Sequence, residues 1–181
     1  VSPWEEKSVD FLVQNKAKVI KLASIDTSNY QFCEYIASKG IPVIASTGMT
    51  NYEQMNIVRG IFQDADCPMM FLHCTSAYPS PIEDKHLNCI PVMQKMFNDD
   101  IGFSGHAIGF EGTLGAVALG AECIEFHITD DRASYGTDQA ASIENSDALV
   151  EGINIMGRML GDGVKKVYDS EIPIKNKLRK V

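Results

Sequence analysis

Five short apolar runs recur along the chain, and each is followed by a segment whose apolar residues are spaced as on a helix. The runs are VIKLAS, IPVIAS, MMFLHC, DIGFS and ECIEFH, which begin at residues 19, 41, 69, 100 and 122. Continuous apolar runs of this kind are typical of parallel strands that are buried on both faces. Their centres lie roughly 23 to 31 residues apart, which leaves room for one strand and one crossover helix. The pattern therefore predicts five βα units in a parallel α/β fold.

The segments between these runs predict the helices. We expect helices over residues 29–38, 83–97, 111–119 and 146–160, and a further helix after residue 50. At the start of that further helix, Thr50 is followed three residues later by Glu53, which is the spacing of a capping box. The tail that begins at Gly161 is polar and basic.

Composition and charge narrow the classes of function. The 181 residues are 45% apolar and 22% charged, the profile of a globular protein with a sizeable core. The formal net charge of −8 argues against a general nucleic-acid binder, which needs clustered Lys and Arg. No apolar stretch approaches the ~18 residues of a membrane span, and the start does not resemble a signal peptide. Because the first residue is Val1, we expect a processed chain or a piece of a longer one.

The cysteines indicate a reducing, cytoplasmic setting. There are five of them, an odd number, and no two form a C-x-x-C pair, so neither a zinc cage nor a disulfide framework is expected. Cys74 follows His73 directly, which raises the alternative of a nucleophile beside its base. Adjacent residues on a strand point to opposite faces, however, and this disfavours the pairing.

Each apolar run ends in polar residues. The ends of the five runs carry Lys21 and Ser24; Ser46 and Thr47; His73, Thr75 and Ser76; Ser104 and His106; Glu125 and His127. The C-terminal edge of a parallel sheet is where barrels and open α/β folds bind ligands. A single Ser or Thr there is more often a helix N-cap. Lys21 has no such explanation, because an ammonium inside an apolar strand is costly unless it meets an anion.

Two histidines suggest a metal site. His106 and His127 end successive strands, and neighbouring parallel strands are only about 4.8 Å apart, so the two side chains converge. A divalent cation with two imidazole ligands and open positions fits this arrangement. The alternative is that each is a hydrogen-bonded core histidine.

These strand ends belong to longer motifs that resemble one enzyme family. The motifs are VSPWEEKSVDFL, IKLASID, IPVIASTGMT, FLHCTSAYPSPIEDKHLN, IGFSGHAIG, AVALGAECIEFHIT, GTDQAAS and LGDGVKKV. In this order they resemble the sialic acid synthases, which make N-acetylneuraminate and related nonulosonic acids. The resemblance implies an α/β fold that is part of a (β/α)₈ TIM barrel, namely its fourth to eighth strands. It implies a partial barrel over residues 1–162 and, over 163–181, a linker toward a missing antifreeze-like domain.

The resemblance also implies an activity. The family condenses phosphoenolpyruvate with the aldehyde of an N-acetylated sugar, typically N-acetylmannosamine or its phosphate, with the help of a divalent Mn²⁺ or Mg²⁺. On this basis we expect a transferase in the full-length protein, which forms a homodimer, and an inactive isolated fragment. Neither a nucleic acid nor a membrane is an expected partner.

Matching positions give each candidate residue an implied role. The substrate-binding residues are Ser2, Lys21, Ser24, Ser46, Ser76, Tyr78, Ser104 and Asp138, of which Tyr78 and Asp138 match sugar-binding positions. His106 and His127 match the metal ligands, and Asp26 and Glu125 match catalytic positions, Glu125 as a residue that orients a ligand. Gly105, Asp130 and the motif GTDQAAS depart from the family's common pattern and indicate a divergent branch.

Two other functions remain open at this point. One is an aldolase-type barrel in which Lys21 is a Schiff-base nucleophile. The other is a truncated interaction module that keeps the motifs without the chemistry.

Overall fold

The computed structural model describes residues 1–179, and its centre is a five-stranded parallel sheet. The strands are β1 (Ile20–Leu22), β2 (Val43–Ser46), β3 (Met69–Cys74), β4 (Ile101–Gly105) and β5 (Ile124–Phe126). Four lie within predicted runs, and β4 extends one residue past its run, to Gly105. Their order across the sheet is β1-β2-β3-β4-β5, the same as along the chain. That order is the wall of a (β/α) barrel, since an open doubly wound sheet reverses its strand order at a switch point. The predicted partial barrel is confirmed.

Helices lie along one face of this wall, apart from the last one, which belongs to the exposed tail. They are α1 (Glu6–Gln14), α2 (Tyr30–Ala37), α3 (Tyr52–Asp64), α4 (Cys89–Phe97), α5 (Glu111–Ala118), α6 (Ser146–Leu160) and α7 (Ile172–Leu178). Short 3₁₀ turns lie at Ser24–Asp26, Glu83–Lys85, Gln139–Ala141 and Asp169–Glu171. The main core lies between the sheet and the helices, where Leu22, Ala45, Phe71 and Phe103 pack against Ile36, Val58, Phe62, Ile90 and Met93.

Alternation along the strands places a different set of side chains on the opposite, inner face. The pairing sets Lys21 opposite Ile44, Ser46 opposite Leu72, and Cys74 opposite Ser104, which in turn lies opposite Glu125. Neighbours in a parallel pair point to the same face, so these polar groups share the inner surface of the wall.

The predicted capping box was one residue out of place. Thr50 and Glu53 do not form it; instead Asn51 caps α3, its side chain accepting from Gln54 N–H while the Gln54 side chain accepts from Asn51 N–H. The Thr50 hydroxyl instead donates to the carbonyl of Thr47, 2.6 Å away, within the preceding turn. Asn is as good an N-cap as Thr, so local sequence did not distinguish the two.

The helix predicted over 83–97 is also shorter than expected. A 3₁₀ turn covers Glu83–Lys85, and α4 begins only at Cys89. Between them His86 adopts a left-handed backbone with φ 38°, which interrupts any continuous helix. Pro91 then lies in the first turn of α4, where a missing N–H costs nothing.

The two ends of the chain add elements that the pattern did not predict. Helix α1 precedes the first strand, and α7 lies in the tail after α6 ends at Leu160. The side chains over 161–179 are exposed. The boundary between 162 and 163 stays a prediction, and the last two residues of the predicted linker lie outside the described residues. Among the described helices, none is long and apolar enough to cross a membrane.

Candidate active site

The C-terminal ends of the five strands surround a cavity of about 290 Å³. Ten of the twelve residues predicted for the site line it: Ser2, Lys21, Ser24, Ser46, Tyr78, Ser104, His106, Glu125, His127 and Asp138. The parallel register explains the convergence of nine of them, because each lies at the last inward position of a strand or in the loop that follows, whereas Ser2 precedes α1. The cavity is therefore a candidate active site built from every strand of the wall.

Glu125 is the centre of one half of this cavity, which we call the anion cradle: Lys21, Ser46, Ser104 and Glu125. The hydroxyls of Ser104 and Ser46 donate to Glu125 Oε2 over 2.8 Å and 3.2 Å. The ammonium of Lys21 lies 3.4 Å from the same oxygen and also donates to the carbonyl of Leu22 over 3.0 Å. Both serines are buried. Lys21 is thus paired with an anion, as a charged group in an apolar strand must be, and this anion is a side chain of the same chain.

A second group of donors lies beside the cradle. The N–H of Gly48 donates to Ser24 Oγ over 3.1 Å, and Ser24 Oγ in turn lies 3.6 Å from Cys74 Sγ. Ser76 does not line the cavity; its hydroxyl lies behind, 3.9 Å from Cys74 Sγ. A Cβ at position 48 would collide with the Ser76 hydroxyl and come within 2.9 Å of the Ser24 hydroxyl. A glycine is required there for the two serines to approach each other.

The two predicted metal ligands converge at the other end of the cavity. The rings of His106 and His127 have their centroids 5.1 Å apart, and the Tyr78 ring packs on both, at 4.3 Å and 5.9 Å. His127 Nδ1 lies 3.8 Å from Asp138 Oδ2. Sequence reasoning anticipated this convergence from strand spacing alone.

Backbone contacts fix both histidines in place. The carbonyl of His106 accepts from the N–H of Ser80 over 2.7 Å, and that of His127 accepts from the N–H of Ile143 over 2.8 Å. His106 Nδ1 lies 3.3 Å from the carbonyl of Thr75, which assigns the proton to Nδ1 and leaves Nε2 as the free lone pair.

Burial sets the protonation state of the groups around the pair. It lowers the pKa of His106, so that the neutral imidazole, which is the ligand form, prevails. Burial also raises the pKa of the Tyr78 hydroxyl, with Cys74 and Asp138 adding to the shift, so Tyr78 stays a neutral hydrogen-bonding group.

The donor set fits a divalent cation that keeps open coordination positions. Two imidazoles, one of them with a ring nitrogen oriented by a backbone carbonyl, are a common half of such a site. Within residues 1–179, no group of three or more His, Cys, Asp or Glu side chains is arranged to hold a metal ion. The remaining positions would thus be filled by substrate or water.

Asp26 is, after Ser76, the second predicted residue that does not line the cavity. It lies on the 3₁₀ turn after β1, and its Oδ2 atom is buried with no hydrogen-bond partner among the described residues. Burial raises the pKa of this carboxyl, while the side chain of Asn29 partly opposes the shift.

The pairing of Cys74 with His73 is not formed. His73 Nε2 lies 2.7 Å from the carbonyl of Lys85 on the helix side of the sheet, whereas Cys74 faces inward. Cys74 Sγ lies instead 3.7 Å from His106 Nδ1. The opposite orientation of neighbouring strand residues was predicted correctly.

The family model that describes the NeuB family matches residues 1–165. The chain belongs to the NeuB family. The N-acetylneuraminate-9-phosphate synthase of Mus musculus is 38% identical over 99% of this chain and 51% of its own length. The N,N'-diacetyllegionaminic acid synthase of Legionella pneumophila is 32% identical over 98% of this chain and 52% of its own. The chain spans about half the length of the curated relatives it matches.

A solved structure shows the same fold. The N-acetylneuraminic acid synthetase of Leptospira borgpetersenii, crystallised with citrate, superposes with a TM-score of 0.87 at 32% identity, over 99% of this chain and 65% of that one. The resemblance to the sialic acid synthases is thereby confirmed at the level of the family and the fold.

Three cavity features of this NeuB-family chain escaped sequence reasoning. Trp4 and Phe126 line the cavity, and Gly48 shapes the serine pair from behind. Trp4 is the only tryptophan of the chain and lies in the motif VSPWEEKSVDFL, which is a usable signal. Phe126 had no signal, because an aromatic residue in an apolar strand is normally core.

Proposed function

We propose that this chain supplies the anion cradle, the histidine pair and the sugar-contacting residues of a nonulosonic acid synthase. In the complete protein, phosphoenolpyruvate condenses with the aldehyde of an N-acetylated sugar, N-acetylmannosamine or a relative, to give a nonulosonic acid and phosphate. The observation that carries the proposal is the convergence of Lys21, Ser46 and Ser104 on one carboxylate oxygen, within the same cavity as His106 and His127. Relatives named as N-acetylneuraminate, legionaminic and pseudaminic acid synthases support it.

The cradle suits the anionic substrate. Phosphoenolpyruvate carries a carboxylate and a phosphate, and one ammonium with several hydroxyl donors is a typical site for such groups. Ser2 and Ser24 line the same cavity, and Ser76 lies just behind Ser24. We assign these serines to the carboxylate and phosphate oxygens.

The other end of the cavity suits the sugar. His106 and His127 would hold Mn²⁺ or Mg²⁺, which when bound polarises the aldehyde carbonyl. Tyr78 presents a neutral phenol beside the pair, and Asp138 a carboxylate. These two groups are placed to orient sugar hydroxyls and the acetamido group.

The bond changes are those that the resemblance to the sialic acid synthases implies. Carbon 3 of the enolpyruvate forms a bond to the aldehyde carbon, whose oxygen takes up a proton. Water adds to carbon 2, and the bond between carbon 2 and the phosphate oxygen breaks, releasing phosphate. The cradle holds carbon 3 close to the aldehyde, which lowers the entropic part of the activation barrier for the reaction. We retain Asp26 and Glu125 as the proposed catalytic residues, with Glu125 orienting its neighbours.

A test separates substrate binding from turnover. Phosphoenolpyruvate is titrated into the 181-residue chain and into Lys21→Met, with Lys16→Met as a charge-matched control on the exposed turn after α1. We expect binding to weaken at least about tenfold in Lys21→Met only. Product is then assayed in a form extended by the rest of a family barrel, where Lys21→Met should abolish it. Turnover by the unextended chain would contradict the expected inactivity of the isolated fragment.

The Schiff-base alternative has a direct test. In the structure the Lys21 nitrogen forms an ion pair with Glu125 Oε2 and donates a hydrogen bond to the carbonyl of Leu22. These are the contacts of an ammonium group and not of a free amine nucleophile. Borohydride treatment with pyruvate should therefore leave the mass of the chain unaltered. A trapped adduct on Lys21 would favour the aldolase mechanism.

The truncated interaction module predicts neither phosphoenolpyruvate nor Mn²⁺ binding. The homodimer and the cytoplasmic location stay predictions.

A further inference from the structure

The anion cradle already contains an anion. Glu125 Oε2 accepts from Ser104 and Ser46 and lies in ion-pair distance of Lys21. These three donors come from β4, β2 and β1, so one carboxylate oxygen joins three strands of the wall. Without it, an ammonium with 17% side-chain exposure would lie in an apolar strand with no salt-bridge partner among residues 1–179.

The same donors cannot serve Glu125 and a bound anion together. A serine hydroxyl has a single proton to donate, and Ser46 and Ser104 both donate theirs to Glu125. An incoming phosphate or carboxylate must therefore take these protons from Glu125. It must also approach a like charge, which opposes binding.

Glu125 has room to withdraw. Its side chain is 38% exposed, more than twice the 17% of Lys21, and it borders the open cavity. The two serines are buried and fixed on their strands. Movement on anion binding thus falls to the carboxylate and not to its donors.

We propose that Glu125 is an internal counter-anion that keeps the cradle assembled and is displaced by the substrate anion. This rests on the proposed function for the identity of that anion. The displacement makes the cradle selective: a lone phosphate must compete with Glu125 using the cradle donors alone. A ligand with two anionic groups also reaches the Ser24 and Gly48 side and offsets the competition. Glu125 is in this sense a positioning residue that sets which anions bind.

The experiment uses inorganic phosphate as the probe and the full 181-residue chain. Phosphate is titrated into wild type, Glu125→Gln and Glu122→Gln by heteronuclear NMR. Glu122 is exposed, three residues earlier at the opposite end of the β5 run, and its substitution changes the net charge equally. We expect phosphate to bind Glu125→Gln about tenfold more tightly, the effect of removing one like charge within about 4–6 Å. Glu122→Gln should stay within about twofold of wild type, since exposed charges farther away are screened.

A second pair of variants guards against misfolding. Glu125→Asp keeps the charge but shortens the side chain, and should show a smaller gain in the same direction. Adding Ser104→Ala to Glu125→Gln should remove most of the gain, because it deletes a donor that the displacement frees. A purely structural Glu125 would instead lower phosphate affinity in both Glu125 variants.

The outcomes separate this inference from the proposed function. Equal or weaker phosphate binding by Glu125→Gln, or no phosphate binding by either form, overturns the displacement even if the extended protein makes product. Tighter binding without any product from the extended protein sustains the displacement and counts against the synthase.

Discussion

The N–H of Gly48 donates a hydrogen bond to the Ser24 hydroxyl over 3.1 Å, and so joins the loop after β2 to the end of β1. The backbone reaches this close only because position 48 has no side chain. On its other side the Ser76 hydroxyl occupies the space that a Cβ would need. One glycine therefore fixes the separation of two serines that come from strands two apart in the sheet.

Replacing this glycine should impair the site more than the fold. Gly48→Ala places a methyl group against Ser76 and within 2.9 Å of the Ser24 hydroxyl, so one or both serines must move. We expect phosphoenolpyruvate affinity to fall about tenfold, as for the loss of one or two hydrogen bonds to a charged group. The free energy of unfolding should fall by roughly 1–2 kcal/mol. Calorimetric titration and urea unfolding measure the two effects, and unchanged affinity with a large stability loss would contradict this assignment.

A second glycine offers the opposite result and serves as the control. Gly60 lies in the interior of α3, and a Cβ there meets nothing within 4 Å. Gly60→Ala should therefore stabilise the chain by roughly 0.5–1 kcal/mol, because alanine loses less backbone entropy in a helix. Phosphoenolpyruvate affinity should not change. The urea midpoint reports the gain, and a lower midpoint would show that α3 packs more tightly there than the structure indicates.

The histidine pair should account for metal binding. His106→Ala and His127→Ala each remove one of two converging imidazoles, so Mn²⁺ affinity should fall at least about 100-fold, beyond the 10–100-fold typical of changes behind a ligand. His86→Asn is the matched control, since His86 is exposed and asparagine tolerates its left-handed backbone. Mn²⁺ binding is measured by water-proton relaxation. Retention of binding in both alanine variants would exclude the pair as ligands.

How far the sequence predicted this site depends on whether strand alternation or a distant contact decided each position. Alternation correctly separated His73 from Cys74 and brought His106 beside His127, because both outcomes follow from strand geometry. The need of Lys21 for an anion was also readable from its apolar neighbours. The sequence did not show that this anion is Glu125, which lies on β5 at the opposite edge of the sheet. That contact depends on how the wall curves to bring β1 and β5 together.

Local sequence failed where two neighbouring choices were nearly equal in energy. Thr50 and Asn51 are both good caps, and the loop before α3 rather than cap strength selected Asn51. Likewise, the apolar spacing between 83 and 97 reads as one helix, but the left-handed His86 divides it. The placement of Asp26 behind the cavity likewise depends on a 3₁₀ turn that no apolar pattern encodes.

His73 should make stability depend on pH. Burial lowers the pKa of His73 below its ordinary 6.5, the neighbouring charge of His86 lowers it further, and the hydrogen bond to Lys85 only partly opposes this. Because the unfolded chain takes up the proton first, the contribution of His73 is complete above about pH 6.5 and is lost as pH falls toward the folded pKa. The slope cannot exceed about 1.4 kcal/mol per pH unit for one group. In urea unfolding between pH 7.5 and 5.5, the free energy of unfolding should fall less steeply with acid in His73→Gln than in wild type. Some slope should remain, because His106 is present in both proteins. Parallel slopes would mean that His73 is protonated as readily in the folded chain as in the unfolded one.

Asp26 should trade stability against its proposed role. Its Oδ2 atom is buried without a partner among residues 1–179, and burial raises the pKa of the carboxyl above 3.8. A raised folded pKa means that the contribution to stability is complete only below the unfolded pKa and is lost as pH rises through the folded one.

At pH 8 the ionised Asp26 therefore weakens the fold, and Asp26→Asn should stabilise it by about 1 kcal/mol. The gain should shrink as pH falls through the folded pKa toward 3.8, and Asp130→Asn, which changes an exposed loop carboxylate, should show none. In the extended protein the same substitution should lower product formation if Asp26 belongs to the site. A variant that is less stable than wild type at pH 8 would show instead that the carboxylate is satisfied in the folded protein.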